Sequence, residues 1–288
     1  MIMGDLLPPD TLRNLRVGIS ASASPDLARL GLMEEHFQLA LGEVARTVLV
    51  LGGGLQYCGH LAPTGYTTFL IGELKRYGRR DDPFSIVLAW SVHRRLRISD
   101  LRRVESDLGL LGRISCLDLP GALVDFAGNR GDAPPGLPDE QIGPSLTAMR
   151  RFAIAETHGR ALIGGKRSGY QGVMPGVLEE ALLALAAGQA IFLAGGFGGV
   201  THDIVRIINV GAAAWMPAVD DQPADLGWQT GTHALRLAIA DRGWSALSNG
   251  LDDAENMRLA ATHRPSEIAA LVGLGLGRLA RSGAFKHK

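Results

Sequence analysis

Cysteine is scarce in this chain, with Cys58 and Cys116 the two residues among 288. They offer no second pair and no Cys-x-x-Cys spacing. Neither a disulfide framework nor a thiolate zinc site is therefore expected, and a reducing, cytoplasmic setting is. Net charge is also missing, because 29 Lys and Arg residues face 29 Asp and Glu. General nucleic-acid and anionic-membrane binders carry a basic excess, so neither class is expected. Long apolar runs are lacking: none reaches the ~18 residues of a membrane span. Positions 1–16, with Asp5 and Pro8-Pro9, carry no signal-peptide pattern. Familiar catalytic motifs are absent as well. There is no G-x-x-x-x-G-K-[ST] loop, no clean G-x-G-x-x-G and no G-x-S-x-G elbow. His36, His93, His158, His233, His263 and His287 show no metal-ligand spacing, and no metal or required cofactor is expected.

Glycine, by contrast, is plentiful at 38 residues, in a chain that is 46% hydrophobic and 20% charged. This is the composition of a folded protein with a sizeable core. The length allows one large α/β domain or two small ones. Short β-type runs are expected as strands over 16–22, 85–90, 114–118, 161–165 and 190–194, with a further short apolar run at 55–58. Apolar residues at helical spacing predict helices over 32–49, 66–77, 100–108 (capped by Ser99), 145–154, 177–187 and 200–208. Positions 119–141, rich in Gly, Pro and Asp, read as a long surface loop. After Trp215 come a loop with Pro217 and Pro223 and helices near 232–241, 252–262 and 266–279, the last with Ser266 as its cap. Strands alternating with helices imply βαβ units and a mostly parallel sheet.

The densest signal is the block 161–199. It reads as strand, glycine loop, helix, strand, glycine loop. Glycine admits positive φ and close approach of a ligand to the backbone. A loop that opens a helix points free N–H groups at an anion. Three glycine loops, 52–54 with Gly59, 164–172 and 195–199, are expected to follow strands, where open α/β sheets bind ligands. Gly53, Gly54, Gly164, Gly165, Gly176, Gly195 and Gly196 are the candidates for backbone approach, and Lys166 and Arg167 for neutralising phosphate.

Glu179 and Glu180 sit in the first turn of a helix opened by Pro175-Gly176. Dipole complementation accounts for one acid there. Neighbours on a helix point about 100° apart, so one of the two is expected to face a pocket. Ser20 and Ser22 end the first strand and either donate to a phosphate or cap the loop. His60 and His202 lie beside glycine loops and are candidates for acid–base work, with a purely structural role as the alternative.

These residues together resemble the SLOG superfamily over roughly positions 15–210. The resemblance rests on Gly18-Ile-Ser-Ala-Ser22, Gly52-Gly53-Gly54 and the 161–199 block. The superfamily includes LOG phosphoribohydrolases, the DNA-processing protein DprA and the sensing domain of TRPM channels. The features are most similar to prokaryotic SLOG proteins of the TRPM-sensor and antiphage type. The resemblance implies a Rossmann-like α/β fold for the domain taken as 1–215, and the helical pattern after Trp215 is expected to form a C-terminal extension, 216–288, that packs on the same domain or a partner.

LOG enzymes carry an arginine on a helix, then a strand, then Pro-Gly-Gly-x-Gly-Thr-x-x-Glu. Arg151 stands at the spacing of that arginine, Gly164-Gly165 match the paired glycines, and Glu180 matches the glutamate. The resemblance assigns Arg151 and Glu180 to cleavage of an N-glycosidic bond. Ile163 replaces the proline, Val177 the threonine, and a longer loop, 166–172, is inserted. The longer loop suits a larger ligand. The expected function is sensing of a nucleotide-derived molecule such as NAD, ADP-ribose or a cyclic relative, with LOG-like hydrolysis as the alternative. The apolar tail over 268–279 makes a homo-oligomer plausible and is equally read as core.

Overall fold

The short apolar runs become strands of one sheet, and the amphipathic segments between them become its covering helices. The computed structural model describes residues 7–77, 81, 83–128, 132, 138–216 and 225–285. Its strands are β1 (Arg16–Ser22), β2 (Gly54–Cys58), β3 (Phe84–Leu88), β4 (Gly112–Leu117), β5 (Leu123–Val124), β6 (Gly159–Gly164) and β7 (Ala190–Ala194). They lie in the order β5-β4-β3-β2-β1-β6-β7, all parallel except β5, which pairs antiparallel with β4. The chain winds outward from β1 to β4, then returns to the other side of β1 with β6. The crevice between β1 and β6 is thus the topological switch point, where doubly wound sheets hold their ligands.

Alternation along each strand sends successive side chains to opposite faces. Val17, Ile19, Leu55, Phe84, Ile86, Ala161, Ile163 and Phe192 share one continuous core with α1 (Glu34–Val50), α2 (Tyr66–Tyr77), α4 (Ile98–Leu108) and α10 (Pro265–Ser282). The other face carries two separate apolar clusters. Leu162, Ile191 and Leu193 pack with α6 (Gly176–Ala186), α7 (Gly199–Ile208) and α8 (Leu226–Ile239). Val87, Ala89 and Leu117 pack with Leu146 and Met149 of α5 (Ile142–Ala155), near the short α3 (Trp90–His93). The strand residues between the two clusters are polar: Ser20, Gln56, Ser85 and Arg160, all buried.

The helices after Trp215 close over the sheet. Trp228 and Leu235 of α8 join the cluster under α6. Ile268, Leu271, Val272 and Leu276 of α10 join the core around α1, and Leu259 of α9 (Asp253–Ala261) does the same. Asn249 Nδ2 donates to the Ile191 carbonyl of β7 at 2.8 Å.

Several boundaries differ from the sequence expectation for local reasons. Ser99 lies inside α4, its amide donating to Asp132, and Arg97 is the N-cap. Arg264 caps α10, because Pro265 takes the first helical position, where its fixed φ fits and its missing N–H is harmless. Ser145 sits within α5, which begins three residues earlier at Ile142. The expected loop 119–141 contains the edge strand β5. Its positions 129–131 and 133–137, and positions 217–224 of the later loop, lie outside the described residues.

Gly195 and Gly196 were expected at a ligand, but the fold places them against the end of α9. A Cβ on Gly196 would stand 2.0 Å from the Thr262 carbonyl oxygen, and one on Gly195 would stand 2.5 Å from that of Ala260. These glycines let two backbones meet. Gly196→Ala is expected to destabilise the protein by about 1–3 kcal/mol, as overpacking against a fixed neighbour does. Urea unfolding followed by circular dichroism measures it, and an unchanged midpoint would refute the packing role.

Candidate functional site

Strands β1, β2 and β6 end, at their carboxyl edges, beneath a cavity of about 590 Å³. Its lining includes Ser22, Glu34, Tyr57, Cys58, His60, Tyr66, Arg150, Lys166, Tyr170, Gly176 and Glu180. That volume falls in the range of small-molecule pockets, about 300–1,000 Å³. Because each helix follows a parallel strand, α1, α2 and α6 all begin at this rim, through Glu34, Tyr66 and Gly176. The positive ends of three helix dipoles therefore converge on one cavity, and their first-turn amides lack intrahelical acceptors.

Under the cavity lies a buried network of four charges. Arg160, 1% exposed, donates from Nη1 to Glu180 Oε2 at 2.7 Å and to Ser20 Oγ at 3.0 Å. Ser20 also donates to the same Glu180 oxygen. Arg150 pairs with Glu179, which accepts from Thr147 as well. The division of labour between the adjacent acids is clear. Both Glu179 oxygens are taken by Thr147 and Arg150. Glu180 Oε1 makes no hydrogen bond among the described residues and stands 3.7 Å from Arg150 Nε. Glu180 lines the cavity and keeps Oε1 free of hydrogen bonds among the described residues, in a longer ion pair with Arg150.

Glycines make room for both arginines. A Cβ on Gly18, the register partner of Arg160, would fall 2.6 Å from Arg160 Nη2. A Cβ on Gly172 or Gly176 would fall 2.9 or 2.7 Å from the Arg150 guanidinium. Gly176 therefore has a steric reason to be glycine, besides its place on the lining.

The expected site residues separate into three groups. Ser22, Lys166, Gly176 and Glu180 line the cavity, with Ser20 bonded just beneath. Gly164 and Gly165, at φ +68° and +109°, shape the turn after β6, where the Gly165 amide donates to the Ser22 carbonyl at 3.0 Å. The rest lie elsewhere. Gly53 and Gly54 precede and open β2, opposite the start of β1, so their loop is at the amino edge of the sheet, away from the cavity. Arg151 is exposed, because α5 buries Leu146, Met149, Arg150, Ala153 and Ile154 along one face and Arg151 is turned about 100° from Arg150. Arg150 is the arginine that reaches the cavity.

Arg167 is not free to meet a phosphate. It is buried and donates from Nε to Asp203 Oδ2 at 2.6 Å and from Nη2 to Asp26 Oδ2 at 2.8 Å. Asp26 also accepts the Gly199 amide at the start of α7. This cluster ties the loops after β1 and β6 to α7. Burial resists charge on Asp26, but the Arg167 and Gly199 hydrogen bonds outweigh it and hold its carboxyl below the usual range. Burial dominates at Asp203 and holds its carboxyl above that range, against the opposing Arg167 bond.

Of the neighbouring Arg150 and Arg151, Arg151 is the one assigned to the site from sequence, with Arg150 left as a solvated surface residue, and Arg160 is not singled out. The helical spacing of Leu146, Met149 and Ala153 carries the signal for Arg150. Arg160 was hidden because the strand begins two residues before the expected start at 161. His60 lines the cavity, whereas His202 is fully buried in α7, against Trp215 and with Arg206. Cys58 is held neutral, its thiol pushed up to about 12 by burial and by Glu180 nearby. Tyr170 hydrogen-bonds to Asp225, the N-cap of α8. Its phenol is pushed up to about 12 by burial first and by that bond second. Among the described residues no group of three His, Cys, Asp or Glu could hold a metal ion, and no helix is long and apolar enough to cross a membrane.

A family model described as SLOG cluster2 matches residues 11–259. The chain belongs to this family. The match runs through the sheet, the charge network and the cavity, and on into α8 and α9. No curated protein and no solved structure matches the chain.

Two outcomes are expected from this SLOG protein's buried charges. Arg150→Ala leaves Glu179 buried without its partner and is expected to cost about 3–5 kcal/mol, whereas Arg151→Ala stays within about 0.5 kcal/mol of wild type. Paired urea titrations compare them, and equal effects would contradict the assignment. His202 has its pKa lowered from 6.5 to about 4, by burial first and Arg206 second. Below about pH 6.5 the unfolded chain takes up a proton at His202 that the folded protein refuses until about pH 4. Stability therefore falls as pH drops through that window, by on the order of 3 kcal/mol. Unfolding midpoints of wild type and His202→Gln at pH 7 and pH 4.5 should diverge, with the variant less sensitive to pH.

Proposed function

We propose that the cavity binds a nucleotide-derived anion and that the protein acts as a sensor of it, with NAD, ADP-ribose or a cyclic relative as the ligand. The observation that carries this reading is the convergence of three helix N-termini on a cavity that also holds Lys166 and the open oxygen of Glu180. Positive dipole ends and an exposed ammonium favour phosphate. A carboxylate oxygen without a protein donor favours sugar hydroxyls. The tyrosines at 57, 66 and 170 supply aromatic surface on the same lining. SLOG family membership agrees with a nucleotide-related ligand.

A second reading, LOG-like hydrolysis of an N-glycosidic bond, is favoured by one specific feature. Glu180 Oε1 stands beside Arg150, a carboxylate next to a guanidinium at the edge of the cavity. Such a carboxylate can stabilise an oxocarbenium-like centre or orient water. Here the arginine is Arg150.

Thermal-shift measurements with NAD, ADP-ribose, cyclic ADP-ribose, AMP and cyclic dinucleotides, followed by chromatography of the ligand, separate the readings. At about a hundred times Kd a ligand stabilises by about 2.7 kcal/mol, a visible shift. A shift with intact ligand supports the sensor. Release of free base, lost in Glu180→Gln, supports the hydrolase. No shift with any of these would reject both.

A further inference from the structure

The least expected side chain in the fold is Arg160. It occupies the second position of a fully buried strand and is 1% exposed. An arginine there lies beneath the cavity floor, not on it, since it is absent from the lining and Glu180, Ser20 and Cys58 stand above. Its surroundings are arranged for it. Gly18, its register partner on β1, leaves the space that the guanidinium fills. Thr157 receives Nη2 at 3.5 Å, and Ser20 and Glu180 receive Nη1 at 3.0 and 2.7 Å.

All of these bonds to the acid fall on one oxygen. Arg160 and Ser20 both donate to Glu180 Oε2, which fixes the carboxylate plane and leaves Oε1 without a donor among the described residues. Arg150, the other neighbouring cation, is engaged with Glu179 and stands 3.7 Å from Oε1. A carboxylate held at one oxygen and open at the other accepts a ligand O–H, and a buried charged acceptor left unmet rejects an analogue lacking that hydroxyl.

We propose that Arg160 is a positioning residue: it locks Glu180 through Oε2 so that Oε1 faces the cavity as a hydroxyl acceptor, and this selects ribose over deoxyribose in the bound nucleotide. The proposal rests on the reading of the cavity as a nucleotide site. Arg160 itself touches no ligand and acts through Glu180. Gly18 belongs to the same device, because any Cβ there displaces the Arg160 guanidinium while removing none of the four charged residues.

The test is calorimetric titration of the full-length protein with AMP, 2′-deoxy-AMP and 3′-deoxy-AMP, together with thermal unfolding of each variant. In wild type, loss of one of the two hydroxyls is expected to weaken binding about tenfold or more, the scale of a hydrogen bond to a charged group. In Gly18→Ala and Arg160→Met that discrimination should shrink to within about threefold, through weaker binding of AMP with little change for the deoxy probe. Arg160→Lys, which keeps the charge and a donor, should restore part of it. A merely structural arginine would lower the melting temperature and weaken all three probes alike. Discrimination that persists in folded Gly18→Ala overturns the proposal, and so does its absence from a wild-type protein that binds AMP. Should Arg160→Met fail to fold, Gly18→Ala and Arg160→Lys carry the comparison. If wild type binds none of the probes and no nucleotide of the wider screen, the cavity reading itself falls, and this inference with it.

Discussion

Four buried charges, Arg150, Glu179, Glu180 and Arg160, set the terms for everything around them. Taking ions out of water is so unfavourable that each must be paired and hydrogen-bonded where it lies. Here the pairs draw on three separate parts of the chain: β6 supplies Arg160, α5 supplies Arg150, and α6 supplies both acids. Ser20 of β1 and Thr147 of α5 satisfy further lone pairs. The network is therefore a geometric constraint on how β1, β6, α5 and α6 meet. It also explains why the apolar packing on that face of the sheet is divided in two, with leucines, isoleucines and valines on either side of a polar seam.

The cavity sits on top of that seam. A parallel sheet sends every following helix off from the same edge, so α1, α2 and α6 bring their N-termini to one place without any special device. The network below decides what that place presents. It consumes both oxygens of Glu179 and one of Glu180, leaving one acceptor among positive dipole ends. A second buried cluster, Arg167 with Asp26 and Asp203, anchors the loop that carries Lys166 and Tyr170 over the cavity. Arg167, which reads as a phosphate ligand in the sequence, thus holds a wall in place, while its exposed neighbour Lys166 lines the cavity.

Much of the fold was legible because periodicity is local. The short apolar runs at 16–22 and 190–194 and the helical spacing in 32–49 and 66–77 reflect local preference and burial, and the structure forms strands at Arg16–Ser22 and Ala190–Ala194 and helices at Glu34–Val50 and Tyr66–Tyr77. The glycine loops were legible as turns but not as sites. Gly53 and Gly54 connect α1 to β2 at the amino edge, and Gly195 and Gly196 admit the backbone of α9. A glycine signals close approach or positive φ in either case, and nothing local says whether the neighbour is a ligand, a carbonyl or an arginine.

The sequence by itself determined the alternation of strands and helices, the turn after β6 and the pairing of two acids at the start of α6, because backbone preference and side-chain period act over a few residues. It determined too that the chain resembles SLOG proteins, since each quoted motif is a short local run, Gly18–Ser22, Gly52–Gly54 and the block 161–199, read without knowing how they meet. Tertiary structure alone decided which arginine faces the cavity, which acid keeps an open oxygen and which glycines lie near it. Those outcomes depend on the rotation of α5 about its axis and on the register that sets Gly18 beside Arg160, 142 positions apart in sequence. They are relations between distant segments, fixed only when the charges have found one another.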